Sequence, residues 1–426
     1  MWTTLLARFD HVDIKDHYDQ IVRCNRCGFC QTACPIFRST GHEAGVARGR
    51  LALLRAIVEG RVEWSPDLKE PLFACLLCGA CTAHCFPAVP TADLITAARG
   101  QFLQKVGRSR LHKLLFQRLL PHPRRLRLAA RAAAFGKKTK LPSIARALGL
   151  LRVFGRDFPR AEEIVERFPA RAFRDKVKAG LYDGQGDRLH IAYFVGCGMD
   201  IMTPDAAEAT LGLLKAAAKT VNVLPNCCCG LPAETYGDRE AALGLARKNL
   251  QCLCAAPYDC IVTDCSSCAS FLKKYPSLFP EADPLRKEAE KLASRTRDVI
   301  QFLASSSSRV ARHASGLVVT WHDPCHASRG QKLTKEPREL LKSLPDIEYR
   351  ELPEADWCCG GAGSYALGHY DLARQVLDRK IDNVVKTGAN VLATSCPACI
   401  IQLSYGVRLR KLPIRVCHIS ELLASR

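Results

Sequence analysis

The stretch "CNRCGFCQTACP" occupies Cys24–Pro35, and after one intervening segment the chain nearly repeats it as "CLLCGACTAHCFP", Cys75–Pro87. Both follow the spacing C-x2-C-x2-C-x3-C, so Cys24, Cys27, Cys30 and Cys34, then Cys75, Cys78, Cys81 and Cys85, bring eight thiols into two short loops. Between them "GVARGRLALLRAIVEG" has helical apolar spacing and a Gly60 stop, which predicts a helix that spaces the two loops.

Three thiols two residues apart reach different iron corners of one 4Fe-4S cube from a single loop. The fourth thiol, carried past that loop, ligates the other cube where two clusters sit side by side. The expected cofactors are therefore two 4Fe-4S clusters, one on Cys24, Cys27, Cys30 and Cys85 and the other on Cys75, Cys78, Cys81 and Cys34. Structural zinc competes poorly here, because all-cysteine zinc sites use two separated C-x2-4-C pairs rather than runs of four. Pro87 stands one residue beyond the usual Cys-Pro position, which loosens the turn after Cys85 and leaves the ligand spacing intact.

The whole chain has 426 residues, 48% of them hydrophobic, enough for several domains with buried cores. Its 23 cysteines would suggest disulfides in a small secreted chain. The first twenty residues contain no apolar stretch of signal-peptide length, and nothing later approaches a membrane-spanning run. The expectation is a cytoplasmic protein, peripheral at most on the cytoplasmic face of the membrane, with thiols reduced or metal-bound.

The net charge of +20 is concentrated, since no acid occurs between Asp93 and Asp157. Such a field favours an acidic partner or an anionic membrane surface. Leu114, Leu115, Leu119 and Leu120 interleaved with Arg predict an amphipathic docking helix; a solvated helix pair joined at Pro121-His122-Pro123 is the plainer alternative. Nucleic acid is not expected, because no base-reading module accompanies the charge.

After residue 186, β-rich runs such as "LHIAYFVG", "CIVTD", "GLVVTWHD" and "NVLATS" alternate with helical segments, as in α/β layers. Cys197, Cys228, Cys229, Cys265 and Cys268 recur as Cys325, Cys358, Cys359, Cys396 and Cys399, at offsets of 128, 130 and 131 residues. The reading is an α+β multidomain chain. A helical two-cluster ferredoxin-like N-terminal domain (1–100) and a basic helical connector (101–185) precede two repeated α/β cysteine-rich (Cys-Cys-Gly) modules (186–304 and 309–426), with Ser305–Ser308 as linker.

Each module offers a lone Cys, an adjacent Cys-Cys-Gly and a C-x2-C. Adjacent cysteines strain a mutual disulfide, whereas two neighbouring thiolates can cap a metal centre that Gly230 or Gly360 lets the backbone approach. Further iron-sulfur clusters and closed zinc sites are both open readings for these ten residues. Cys252, Cys254, Cys260 and Cys417 read as buried apolar residues, and "NCCCG" leaves Cys227 ambiguous, with Gly230 favouring Cys228 and Cys229. His84, His322 and His326 lie beside ligand cysteines, where a satisfied local hydrogen bond is the expected role and cluster tuning the alternative.

These residues carry a resemblance. The order of motifs, with "CGFCQTACP", "ARGRLALLRAIVEG" and "CCGGAGSYALGHYDLARQVLDRKIDNV", resembles the glycolate oxidase iron-sulfur subunit. More widely it resembles the D-lactate dehydrogenase, anaerobic glycerol-3-phosphate dehydrogenase and heterodisulfide reductase subunits of that architecture. The resemblance implies an electron-transfer subunit of an oxidoreductase complex, with clusters on the eight N-terminal cysteines and further iron-sulfur centres, cubane or non-cubane, in the modules. A flavoprotein dehydrogenase subunit would oxidise a 2-hydroxy acid, and a quinone or other membrane-linked acceptor would take the electrons. No flavin or nicotinamide fingerprint occurs in this chain, so no catalytic residue for hydride chemistry is assigned to it. Both C-x2-C elements, "CSSC" and "CPAC", are intact, whereas glycolate oxidase subunits often have them incomplete. That tilts the modules toward the heterodisulfide reductase type and makes disulfide reduction the alternative activity.

Overall fold

The computed structural model describes residues 13–108, 110–139, 141–186, 188–253, 257–306 and 316–424; Cys254 and part of the serine linker lie outside them. Contacts divide the chain into two compact units, one of residues up to 112 together with 233–239, the other of residues 113–232 and 240 onward.

In the first unit the helix expected between the cysteine loops spans Ala47–Val58, and Gly60 follows it with φ +74°. Leu51, Leu54 and Ile57 lie on one face of that helix and enter a core with Ile14, Ile21, Leu72, Leu94, Ile95 and Phe102. Leu94, Ile95 and Phe102 come from the helix Thr91–Lys105, whose apolar residues recur at helical spacing. Cys24, Cys75 and Cys85 pack against this core, so burial of its apolar side chains holds both cysteine loops in place.

Residues 233–239 lie within the stretch expected to form the first Cys-Cys-Gly module, yet they pack in the first unit. Arg99 Nη1 donates to Thr235 O at 2.6 Å, the Tyr236 ring stacks on His112 at 3.8 Å, and Arg108 pairs with Asp238 at 2.6 Å. Gly237 has φ +94°, and a Cβ added there would stand 2.6 Å from the Arg99 carbonyl carbon and the Gly100 nitrogen.

The second unit contains two sheets. Strands β1 (Gly180–Asp183), β2 (His190–Tyr193), β3 (Thr220–Val223), β4 (Cys260–Thr263) and β5 (Thr296–Asp298) form one, ordered β1-β3-β2-β4-β5. Strands β6 (Leu317–Trp321), β7 (Ile347–Arg350), β8 (Val391–Thr394) and β9 (Arg415–His418) form the other, ordered β7-β6-β8-β9. All neighbours run parallel except β1, which is antiparallel to β3. Leaving β1 aside, the two orders are the same, so the sequence repeat is a repeat of topology. In each sheet the chain moves outward from its first strand, then returns to the other side of it, between β2 and β4 and between β6 and β8. Loops that leave parallel strands at such a reversal diverge and open a crevice at the carboxyl ends.

The connector is partly docked. Phe116 and Leu120 are buried, while Leu114 is exposed, so the four leucines do not form one free apolar stripe. On the helix Pro123–Lys138, Arg127 and Arg131 pair with Asp175, and Arg127 also approaches Asp200 at 3.6 Å. Arg146 pairs with Glu162 at 2.6 Å. Acids just beyond the basic run thus neutralise part of its field.

Gly237→Ala adds a Cβ against backbone that cannot rotate away and places it in a left-handed conformation. The expected loss is about 1–3 kcal/mol, read as a lower urea midpoint of the first unit, whereas Gly136→Ala, where nothing lies within 4 Å, leaves it in place.

Candidate metal centres

Two recesses open beside the cysteine loops of the first unit. Cys34, Cys75, Cys78 and Cys81 line one, of about 400 Å³. Cys24, Cys27, Cys30 and Cys85 line the other, of about 370 Å³, and Cys81 borders it as well. Each recess thus gathers three cysteines of one loop and the fourth cysteine of the other.

The loop shape is written into the backbone. Arg26 and Leu77, each just before the second cysteine of its motif, have φ of 55° and 52°, and Gly28 and Gly79, just after it, have φ of 89° and 73°. A non-glycine residue in the left-handed region is uncommon, and its recurrence at matching positions means that both loops wind the same way around their recess. In the second loop the winding brings Leu77 N–H to Cys75 Sγ at 3.4 Å, as in other anion-binding concavities.

Two arginines of the spacer helix face these recesses, which the sequence reading did not single out. Arg48 lines the Cys24 recess and donates to Arg26 O at 3.2 Å. Arg50, 2% exposed, lines the Cys34 recess and donates to Pro71 O and Gly45 O, both at 2.7 Å, while its Nη2 is buried with no hydrogen-bond partner. A 4Fe-4S cluster with four thiolates is an anion that fits this donor set: four sulfurs per recess and a guanidinium nitrogen left over. Burial pushes the Cys34 thiol up to about 11 and raises Cys81 further, so cluster assembly must displace protons from both.

In the second unit the thiols of both modules converge. Cys197 stands 3.5 Å from Cys228, and Cys359 stands 3.4 Å from Cys399. Ser267 Oγ of the first module lies 3.4 Å from Cys396 Sγ of the second, so the two sets of thiols flank one junction. Ser266 and Ser395 reinforce the junction with a hydroxyl pair at 2.7 Å and a backbone bond of 3.1 Å. Cys325 is half-buried at the start of the helix Cys325–Gln331.

The Cys-Cys-Gly turns aim the thiols inward. Gly360 N–H points to Cys358 Sγ and Gly361 N–H to Cys359 Sγ, both at 3.4 Å. Gly360 has φ +82°, and a Cβ there would meet Ala373 O at 2.6 Å, which is why glycine follows the pair. Cys227 points elsewhere, its Sγ lying 3.3 Å from Asn249 Oδ1. Cys417 is buried in β9, and Cys252 and Cys260 are half-buried away from the thiol chain.

The three histidines differ. His84 Nδ1 lies 3.0 Å from Ala80 O, the local bond expected of it, while His326 Nδ1 is satisfied from the other module by Ser267 Oγ at 2.9 Å. His322 departs from that expectation: it is 1% exposed and neither ring nitrogen has a hydrogen-bond partner. Its ring, Cys359 Sγ and Cys399 Sγ lie within 4.8 Å of one another. Burial pushes its imidazole down to about 3, so it is neutral at physiological pH. Lys380, fully buried, donates to Glu354 O and Ala355 O, and burial pushes its ammonium down to about 8.

This arrangement has relatives. Residues 20–88 match the 4Fe-4S dicluster domain, residues 191–273 and 319–404 the cysteine-rich domain, and residues 107–165 the linker region of the glycolate oxidase iron-sulfur subunit. The chain is 30% identical to lactate utilization protein A 1 of Bacillus cereus over 244 residues, which cover all of that protein and 56% of this chain. It belongs to the family of these iron-sulfur subunits. It is also 29% identical to the probable glycolate oxidase iron-sulfur subunit of Bacillus subtilis, over 96% of this chain and 95% of that one. To the glycolate oxidase iron-sulfur subunit of Escherichia coli it is 26% identical, over 91% and 90%. The dicluster match makes 4Fe-4S clusters the cofactors of the first unit's cysteine loops.

The exchange of fourth cysteines between the loops is open to a direct test. Cys24→Ser with Cys85→Ser removes two ligands of one recess, and the expected loss is about four irons, with one reduced-state EPR signal intact. Cys24→Ser with Cys34→Ser touches both recesses and is expected to perturb both signals.

Proposed function

We propose that this chain is the electron-transfer subunit of a complex of the glycolate oxidase or D-lactate dehydrogenase type. Electrons from a separate flavoprotein that oxidises a 2-hydroxy acid would enter here and leave to a quinone or another acceptor. The observation that carries the reading is the pair of four-cysteine recesses that share Cys81 as a border. Clusters bound there supply one-electron oxidation and reduction without moving substrate atoms. The residues of the chain hold and insulate them: Leu51, Leu54 and Phe102 close off water, and Arg48 and Arg50 offset negative charge.

A partner's docking edge is also present. Phe29 and Phe86, 61% and 92% exposed, flank the recess of Cys24, Cys27, Cys30 and Cys85, and exposed aromatic side chains of this kind anchor interfaces. The unneutralised part of the basic connector would meet the flavoprotein or an anionic membrane surface. Among the described residues no helix is long and apolar enough to cross a membrane, so a membrane acceptor would be reached peripherally.

A second reading, reduction of a disulfide substrate in the modules, is favoured by the Ser266–Ser395 junction, which brings the two C-x2-C loops together. Two electrons and two protons would convert the disulfide to two thiols. Oxidation of the reduced, purified chain by an added disulfide separates this reading from a relay.

Anaerobic iron, sulfide and zinc analysis tests the assignment of centres. About eight irons with zinc confine redox work to the first unit, and about twelve to sixteen irons extend it to the modules. Mixed with its flavoprotein and glycolate or D-lactate, the loaded chain is expected to bleach as its clusters are reduced. Phe86→Glu is expected to slow that bleaching at least several-fold with iron content unchanged; bleaching at the wild-type rate removes the docking edge, and no bleaching with either substrate overturns the proposed donor.

A further inference from the structure

The two modules repeat one topology, yet their buried surroundings differ at a decisive place. The offset of 128 residues between Cys197 and Cys325 sets His322 opposite Phe194, which is wholly buried. A phenyl ring in the first module therefore stands where the second module has an imidazole.

That imidazole is fixed in position and left without an acceptor or donor. The backbone N–H of His322 donates to Ala393 O at 3.0 Å, and Thr394 Oγ1 donates to its carbonyl at 3.2 Å, tying the residue to the reversal point between β6 and β8. The polar side chains nearby are committed elsewhere. Asp323 accepts from Trp321 Nε1 at 2.6 Å and from Arg338 at 2.9 Å, Lys380 donates to backbone carbonyls, and His326 is paired with Ser267. A buried polar ring normally finds a partner, so two orphaned nitrogens beside two thiols call for a ligand. Imidazole nitrogen and thiolate sulfur together suit both iron and zinc.

We propose that His322 supplies a nitrogen ligand, beside Cys359 and Cys399, to the metal centre of the second module, so that the two modules hold chemically different centres. This rests on reading the second module as a metal site. If the centre is iron-sulfur, nitrogen in place of sulfur raises its potential, as it does where histidines replace cysteines on a two-iron cluster. The second module is then the electron sink of the pair.

The test uses the full chain, purified anaerobically after labelling with 15N-histidine. Metal analysis first establishes whether metal is present beyond the about eight irons of the first unit. Pulsed EPR of the additional signal is then expected to show a nitrogen coupling that changes from 14N to 15N on labelling. It is expected to vanish in His322→Phe, which installs the residue of the first module, and in His322→Cys, which keeps a ligand and so guards against a folding failure. If the metal is zinc, absorption fine structure at the zinc edge reads the same loss of a nitrogen neighbour. A filled second-module centre with no histidine nitrogen, or with one unaltered in both variants, overturns the ligand assignment alone. Absence of metal beyond the first unit's iron overturns the metal-site reading and the assignment with it.

Discussion

Ser266 and Ser395 meet hydroxyl to hydroxyl at 2.7 Å, each next to the first cysteine of a C-x2-C loop, and the second unit is organised about that contact. Both residues lie at the carboxyl end of a parallel strand where the sheet order reverses, β4 in one module and β8 in the other. A strand reversal alone would yield two crevices on two modules. Facing the crevices toward each other sets the two groups of thiols on either side of one junction. The backbone bond from Ser266 to Ser395 and the 3.4 Å approach of Ser267 Oγ to Cys396 Sγ follow from that pairing, as does the close seat of Gly198, where a Cβ would stand 2.8 Å from Pro397 Cγ. The contact is short because both flanking residues are small; a leucine at either position would force the C-x2-C loops apart.

Charge is the second constraint. Thiolates gathered away from water repel one another, and as bare thiols these groups share protons instead: donating to Cys228, and buried, Cys197 is held well above its ordinary range. Metal binding must expel those protons and leave negative charge in a low-dielectric place. The chain meets this with cations that are themselves costly to bury. Arg50 and Lys380 each donate twice to backbone carbonyls rather than to carboxylates, so no hydrogen-bonded acid cancels their field.

Spacing made the cysteines legible. C-x2-C-x2-C-x3-C specifies loops, and the repeat offsets specify two like modules, because each pattern arises from local chain geometry. Lys380 was legible in principle: it falls in the helical stripe with Ala373, Val376, Leu377, Ile381 and Val384, an apolar face on which a lysine is out of place. The Ser266–Ser395 junction was not, since it joins residues 129 apart through the mutual orientation of two sheets. Nor was the packing of residues 233–239 with the first unit, which depends on Tyr236 meeting His112 and Phe73 and leaves no periodic trace. The four leucines of the connector misled because Pro121 divides them from the helix that carries the paired arginines.

Repeated modules that keep every thiol while changing what surrounds them imply different tasks for equivalent centres. Asn249 and Lys380 occupy matching positions 131 residues apart, and both reach toward their module's Cys-Cys segment. Asn249 does so as a neutral amide on Cys227 N and Cys228 O, whereas Lys380 does so as a buried amine on Glu354 O and Ala355 O. Phe194 against His322 repeats the asymmetry on the opposite wall. Each change adds polarity or positive charge to the second module and none to the first. Positive charge on Lys380 favours the electron-rich state of a nearby redox centre, and the nitrogen ligand proposed at His322 would push in the same direction. Drift after duplication would scatter such changes between the halves; their shared sign is what the proposed electron sink in the second module would call for.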